Sequence, residues 1–104
     1  MILVTGAAGK TGQAVVRALL TTGQTVRTLV RNETQCELMS SLYDTDIVIG
    51  DMSVESVLSN LFEGVRAVYH ICPNMHPDEL SIGLAMISAA KNADVTQFVF
   101  HSVL

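Results

Sequence analysis

Met1-Ile2-Leu3-Val4-Thr5-Gly6-Ala7-Ala8-Gly9-Lys10-Thr11-Gly12 decides the reading of this chain: an apolar run enters a turn with glycine at every third position. The run of aliphatic residues reads as a buried strand, and the residues after it as the mouth of a helix. Gly6 allows a tight exit from the strand, Gly9 lets the backbone come close to a bound anion, and Gly12 lets the helix lie against the first strand. The helix then aims unpaired N–H groups and the positive end of its dipole at that anion. A pyrophosphate is the group such a turn holds. The plainer alternative is a glycine-rich strand-to-helix turn with no ligand.

Spacing narrows the choice of nucleotide fold. Gly9-Lys10-Thr11 looks like the end of a P-loop, but that motif needs a glycine five positions earlier, where Val4 stands. Nor is the turn the G-x-G-x-x-G fingerprint, because Ala8 occupies the place of its second glycine. It resembles the T-G-x-x-G-x-x-G turn of the short-chain dehydrogenase/reductase superfamily. Ala8, Lys10 and Thr11 therefore join the three glycines as candidate cofactor-binding residues.

Around the turn, strands and helices alternate. Val15, Val16, Leu19 and Leu20 form one apolar helix face, with Gly23 as the stop. Strands are expected over 25–31, 46–50, 65–71 and 96–101, and a short helix over 33–42. Ser53 is expected to cap a helix that buries Val57, Leu58, Leu61 and Phe62. A long helix after Asp78 and Glu79 is expected to bury Leu80, Leu84 and Ile87, spaced i, i+4 and i+7. Such alternation, with nearly continuous apolar strands, predicts a doubly wound α/β fold: a parallel sheet with helices on both faces. Right-handed crossovers give the Rossmann-like strand order 3-2-1-4-5 and place the ligand crevice at the carboxyl ends of strands one and four.

The 104 residues suffice for one domain with a single core, taken as 1–104, and are few for a complete dinucleotide enzyme. Hydrophobic residues at 49% against 15% charged exclude a disordered chain. No apolar run is long enough to cross a bilayer, and the first residues lack the parts of a signal peptide. Cys36 and Cys72 form no C-x-x-C pair and read as free thiols, so a cytoplasmic location is expected.

The net charge of −4 conceals an asymmetry. Residues 1–32 hold Lys10, Arg17, Arg27 and Arg31 and no acid, while the rest sets Arg66 and Lys91 against all ten carboxylates. Positive charge thus gathers in the segment that carries the glycine turn, as an anionic ligand requires. An acidic chain with no basic stripe is a poor partner for nucleic acid.

Cofactor type turns on the end of the second strand. An Asp or Glu there takes the ribose hydroxyls of NAD, whereas a 2′-phosphate needs a cation. Here the strand ends Val30-Arg31-Asn32. Arg31 offers a forked, charge-assisted hydrogen bond to the phosphate, and Lys10 a second positive charge. NADP is the expected cofactor. In the NAD alternative, Arg31 is a solvated strand-end residue and Glu33 meets the ribose.

Taken together, Thr5 to Gly12, Leu29-Val30-Arg31-Asn32, Gly50-Asp51-Met52, Pro73-Asn74-Met75 and Phe98-Val99-Phe100-His101-Ser102 resemble the NmrA-like branch of the atypical short-chain dehydrogenases, over the whole chain. The resemblance implies that Asp51 and Met52 lie at the adenine and that Pro73 lies near the nicotinamide end. It places Ser102 where that superfamily has its catalytic serine. Read without the family, Asp51 is a helix N-terminal acid beside Ser53.

A reaction is harder to read. The usual carbonyl-protonating Tyr with a Lys four residues on is missing, since Ile47 follows Tyr43 at that distance and Pro73 follows Tyr69. NmrA-like proteins include quinone reductases and cofactor-sensing regulators, so both an oxidoreductase with a small-molecule substrate and a regulatory module are implied. His70, Cys72 and His76 match no strong zinc spacing, and no metal is expected; His70 and His101 are read as strand ends at the crevice. Family members are longer and carry a C-terminal substrate region. The chain is therefore expected to be a fragment, a truncated product or a domain completed by a second chain, with an open edge at the fifth strand suited to self-association.

Overall fold

The computed structural model describes residues 1–51, 60–71 and 79–101. Five strands, β1 (Ile2–Val4), β2 (Val26–Val30), β3 (Asp46–Ile49), β4 (Ala67–Ile71) and β5 (Gln97–His101), alternate with helices α1 (Lys10–Thr21), α2 (Glu33–Leu42) and α3 (Glu79–Asn92). All strand pairs are parallel, in the order β3-β2-β1-β4-β5. The doubly wound Rossmann-like topology is the one the alternation predicts.

Strand periodicity divides the core in two. Leu3, Leu29 and Val68 face one side of the sheet, with Leu61, Phe62, Val65, Ile82, Met86 and Ala90. Val4, Val26 and Val30 face the other, against Ala7, Val16 and Met39 from α1, α2 and the turn. Strands buried on both faces have no polar side to show, which is why they read as nearly continuous apolar runs. Leu61 and Phe62 are buried as expected, while Ser53, Val57 and Leu58 lie outside the described residues. Arg27 locks the far edge: its Nε donates to Asp46 Oδ2 at 2.8 Å, and its Nη1 to the carbonyls of Leu61 and Glu63, both at 2.8 Å.

One expected face is corrected. Leu84 and Ile87 are 59% and 45% exposed, and the stripe of α3 that meets the sheet is Ile82, Met86 and Ala90. Apolar residues surround much of α3, so periodicity alone allows more than one buried stripe. Gly83 faces β5, where a Cβ would come within 2.8 Å of Phe100 Cε2, the outer edge of a partly exposed ring that can turn aside. The Leu80 side chain lies outside the description.

Candidate functional site

Parallel pairing brings every strand's carboxyl end to one edge, and the turn from Thr5 to Gly9 lies there between β1 and β4. Thr5 N–H donates to Tyr69 O at 3.1 Å, and the next residue turns sharply. Gly6 has φ +61°, and a Cβ on it would lie 2.7 Å from Ile71 O, so glycine is required by conformation and by space. A Cβ on Gly12 would run into the Gly6 carbonyl oxygen and come within 2.7 Å of Ala7 Cα. Gly12 thus lets α1 close onto the turn itself; the expectation placed that contact on the strand.

Gly9 differs from both. Its φ is −76°, and a Cβ there would meet only Gly6 O, at 3.6 Å. The protein's own packing and backbone place no demand for glycine at this exposed position. Gly9 is also the N-cap of α1 and has no side chain to cap it. The first helical bond is Gln13 N–H to Gly9 O at 2.9 Å, which leaves the N–H groups of Lys10, Thr11 and Gly12 without a helical acceptor.

The starts of α1 and α2 differ. α2 has the Asn32 side chain accepting from Gln35 N–H at 2.9 Å, and Glu33 in its first turn. α1 has no side-chain cap, no acid in its first turn, and Lys10 as its first residue. A lysine beside the positive end of the dipole is unfavourable by itself, and an anion seated on the N–H groups reverses the sign. The residues present therefore fit a pyrophosphate.

Arg31 follows β2 directly, at the same edge. Its backbone N–H donates to Gln35 Oε1 at 2.8 Å, while Asn32 receives the Gln35 N–H, so one glutamine ties the strand end to the helix start. The sequence reading missed Asn32 and Gln35 as supports, although the Asn32-Glu33-Thr34-Gln35 spacing is a capping-box signal. Gly50 N–H donates to Val30 O at 2.9 Å, so the end of β3 stays beside the end of β2, and Asp51, which is exposed and has a partner of its own, follows directly. Of the four N-terminal cations, Arg27 is taken up by Asp46 and two carbonyls, and Arg17 by the Tyr43 hydroxyl. Among the described residues, the side chains of Lys10 and Arg31 have no ion-pair or hydrogen-bond partner, and both stand at the crevice edge. Met52, Pro73 and Ser102 lie outside the described residues.

His70 lies one residue from the carboxyl end of β4, and its side chain is fully buried. Thr5 Oγ1 lies 2.8 Å from His70 Nδ1, accepts the Ile71 N–H at 2.9 Å, and so fastens β1 to β4 beneath the turn. Burial lowers the His70 pKa from 6.5 to about 4, so the ring is neutral at pH 7. Its Nε2 has no hydrogen-bond partner among the described residues, and the rings of Phe98 and Phe100 lie 6.0 and 5.2 Å away. His101 does end β5, 3.1 Å from the Tyr69 hydroxyl through Nδ1.

Known proteins resemble this chain in sequence and in fold. The family model of the NmrA-like family matches residues 1–104. The photosystem II assembly factor Ycf39 of Cyanophora paradoxa is 31% identical over 110 residues, covering 99% of this chain and 34% of that protein. An NAD(P)H azoreductase of Xenophilus azovorans is 32% identical over 102 residues, covering 98% of this chain and 35% of the azoreductase. The NADPH-dependent quinone oxidoreductase QOR2 of Escherichia coli, solved with NADPH, superposes with a TM-score of 0.86 at 25% identity, over 100% of this chain and 37% of that one. A short-chain dehydrogenase/reductase superfamily protein of Agrobacterium tumefaciens with bound NAD gives 0.70 at 35% identity, over 96% of this chain and 31% of that one. The chain spans about a third of the length of these relatives.

Proposed function

The chain belongs to the NmrA-like family, and on that premise we propose that it binds a nicotinamide dinucleotide at the carboxyl edge of its sheet, with NADP preferred over NAD. The observation that carries the proposal is the start of α1: no side-chain cap, no acid, a lysine in the first position, and an exposed glycine at the N-cap that no neighbour crowds. The N–H groups of Lys10, Thr11 and Gly12 hold the pyrophosphate, with Gly6 and Ala8 shaping the turn. Arg31 takes the 2′-phosphate as a fork of donors, and Asp51 lies at the adenine, as in the family pattern. Neighbouring proteins described with NADPH and with NAD support the dinucleotide class.

Calorimetric titration tests both parts. NADP+ binds more tightly than NAD+ to the wild type, and Arg31→Ala removes an advantage of about tenfold or more while leaving NAD+ affinity unchanged. Equal affinities in the wild type overturn the role of Arg31, and no affinity for either overturns the site.

When bound, the nicotinamide supplies a hydride, and the chain's part is to hold and orient it. We propose reduction of a quinone or similar small electrophile, a reading supported by the azoreductase and quinone oxidoreductase relatives. A second reading, in which the domain binds the cofactor and regulates a partner without turnover, is supported by the relatives described as photosystem II assembly factors. Steady NADPH oxidation with a panel of quinones and azo dyes supports the first. Binding without oxidation supports the second.

A further inference from the structure

The Gln13 side-chain amide donates to Ala8 O at 2.8 Å, and this bond is the end of a longer line. Tyr43, which follows α2, donates its hydroxyl to Gln13 Oε1 at 3.1 Å, and Arg17 Nη1 donates to the Tyr43 oxygen at 3.1 Å. Both ends of the line fix its direction, because a guanidinium only donates and a carbonyl only accepts. Tyr43 must therefore give its proton to Gln13. That in turn holds the amide oxygen of Gln13 toward Tyr43 and its NH2 toward Ala8, where a free glutamine could turn two acceptors face to face.

The bond to Ala8 closes one half of a clamp on the turn. Gly9 N–H, the other end of the same peptide unit, donates to Gly6 O at 3.3 Å. With both ends bonded, the Ala8–Gly9 peptide has one orientation. A flip would set its oxygen against the Gly6 carbonyl and open the turn that presents the α1 N–H groups. The Tyr43 ring, from the α2–β3 connection, packs against the core beside α1 and α2, which brings its hydroxyl onto the side chain that holds this turn.

We propose that Gln13 and Tyr43 are positioning residues for the anion cradle, holding the Ala8–Gly9 peptide in its binding orientation before the ligand arrives. The inference rests on reading the turn as a dinucleotide site. Preorganisation of this kind affects ligands that use the pyrophosphate and spares those that use only the adenosine end.

The test compares wild type, Tyr43→Phe and Gln13→Glu in calorimetric titrations with NADP+, NAD+ and 2′-AMP, which lacks the pyrophosphate. Tyr43→Phe is expected to weaken NADP+ and NAD+ by the same factor, about three- to tenfold, and to leave 2′-AMP unchanged. Gln13→Glu, whose carboxylate cannot donate to Ala8 O, is expected to weaken both dinucleotides further. Wild-type dinucleotide affinity in both variants overturns the proposal, as does an equal loss for 2′-AMP, which marks general loosening. Should the wild type bind none of the three, the dinucleotide reading fails, and the Gly9 amide exchange rate in the free protein decides the rest. Faster exchange in both variants supports the clamp, and unchanged exchange overturns it.

Discussion

Three glycines one turn apart have three different reasons to be glycine, and substitution separates them. Gly12→Ala sets a methyl against backbone atoms of Gly6 and Ala7 that cannot move aside, and is expected to cost about 3 kcal/mol in a denaturant titration. Gly9→Ala has ordinary contact distances and an ordinary φ, so its stability stays within about 1 kcal/mol of wild type. Its dinucleotide affinity nevertheless falls, because the methyl fills the space above the N–H groups. A Gly9→Ala protein with both wild-type stability and wild-type affinity contradicts the cradle. His70 makes a prediction of another kind. Its folded pKa of about 4 lies below the unfolded 6.5, so the unfolded chain takes up the proton first as pH falls. The stability contributed by neutral His70 is complete above pH 6.5 and declines toward pH 4, by at most about 1.4 kcal/mol per pH unit. Chemical denaturation across this window should show the wild type's advantage over His70→Asn shrinking as pH falls. A constant difference means the ring is not buried neutral.

At the scale of elements, the starts of α1 and α2 are built differently. α2 is complete in itself: Asn32 caps it, Glu33 complements the dipole, and Gln35 reaches back to the Arg31 N–H. Asn32→Ala is expected to lower stability by about 1 kcal/mol, measured by thermal unfolding. Because the same network fixes the backbone under Arg31, that variant should also lose part of the NADP+ preference while its NAD+ affinity holds. α1 lacks these devices, and in the proposed function a bound pyrophosphate satisfies its N-terminus. Boundaries of α2 were legible to the residue, and those of β2 to β5 to within two residues, because glycine, asparagine and charged residues bracket each apolar run. The buried stripe of α3 was not, since that helix offers apolar residues in several directions and the sheet selects one.

Across the whole molecule, β5 pairs with β4 and with no other strand among the described residues, and Val99 and Phe100 on it are 44% and 41% exposed. An uncharged edge with two large apolar side chains is prone to pair with another chain. Val99→Lys is expected to reduce self-association in sedimentation velocity at high protein concentration, with little change in stability because the position is exposed. An identical association profile in the variant removes β5 from the contact. Topology, crevice and glycine turn were all legible beforehand, since apolar alternation and glycine spacing are local properties that right-handed crossovers convert into one arrangement. Arg31 could be nominated from its place at a strand end, but its availability could not: only packing reveals that Arg27 and Arg17 are occupied while, among the described residues, the side chains of Arg31 and Lys10 are not. Burial of His70, the clamp from Tyr43 through Gln13 to Ala8, and the outward turn of Leu84 and Ile87 join residues up to 65 positions apart or depend on which surface a neighbour covers. The sequence by itself determined the order of elements and the place where an anion would sit, because both follow from short-range sterics and periodicity. Tertiary structure alone decided which charges remain free and which peptide is held, because hydrogen-bond partners distant along the chain meet only after it has folded.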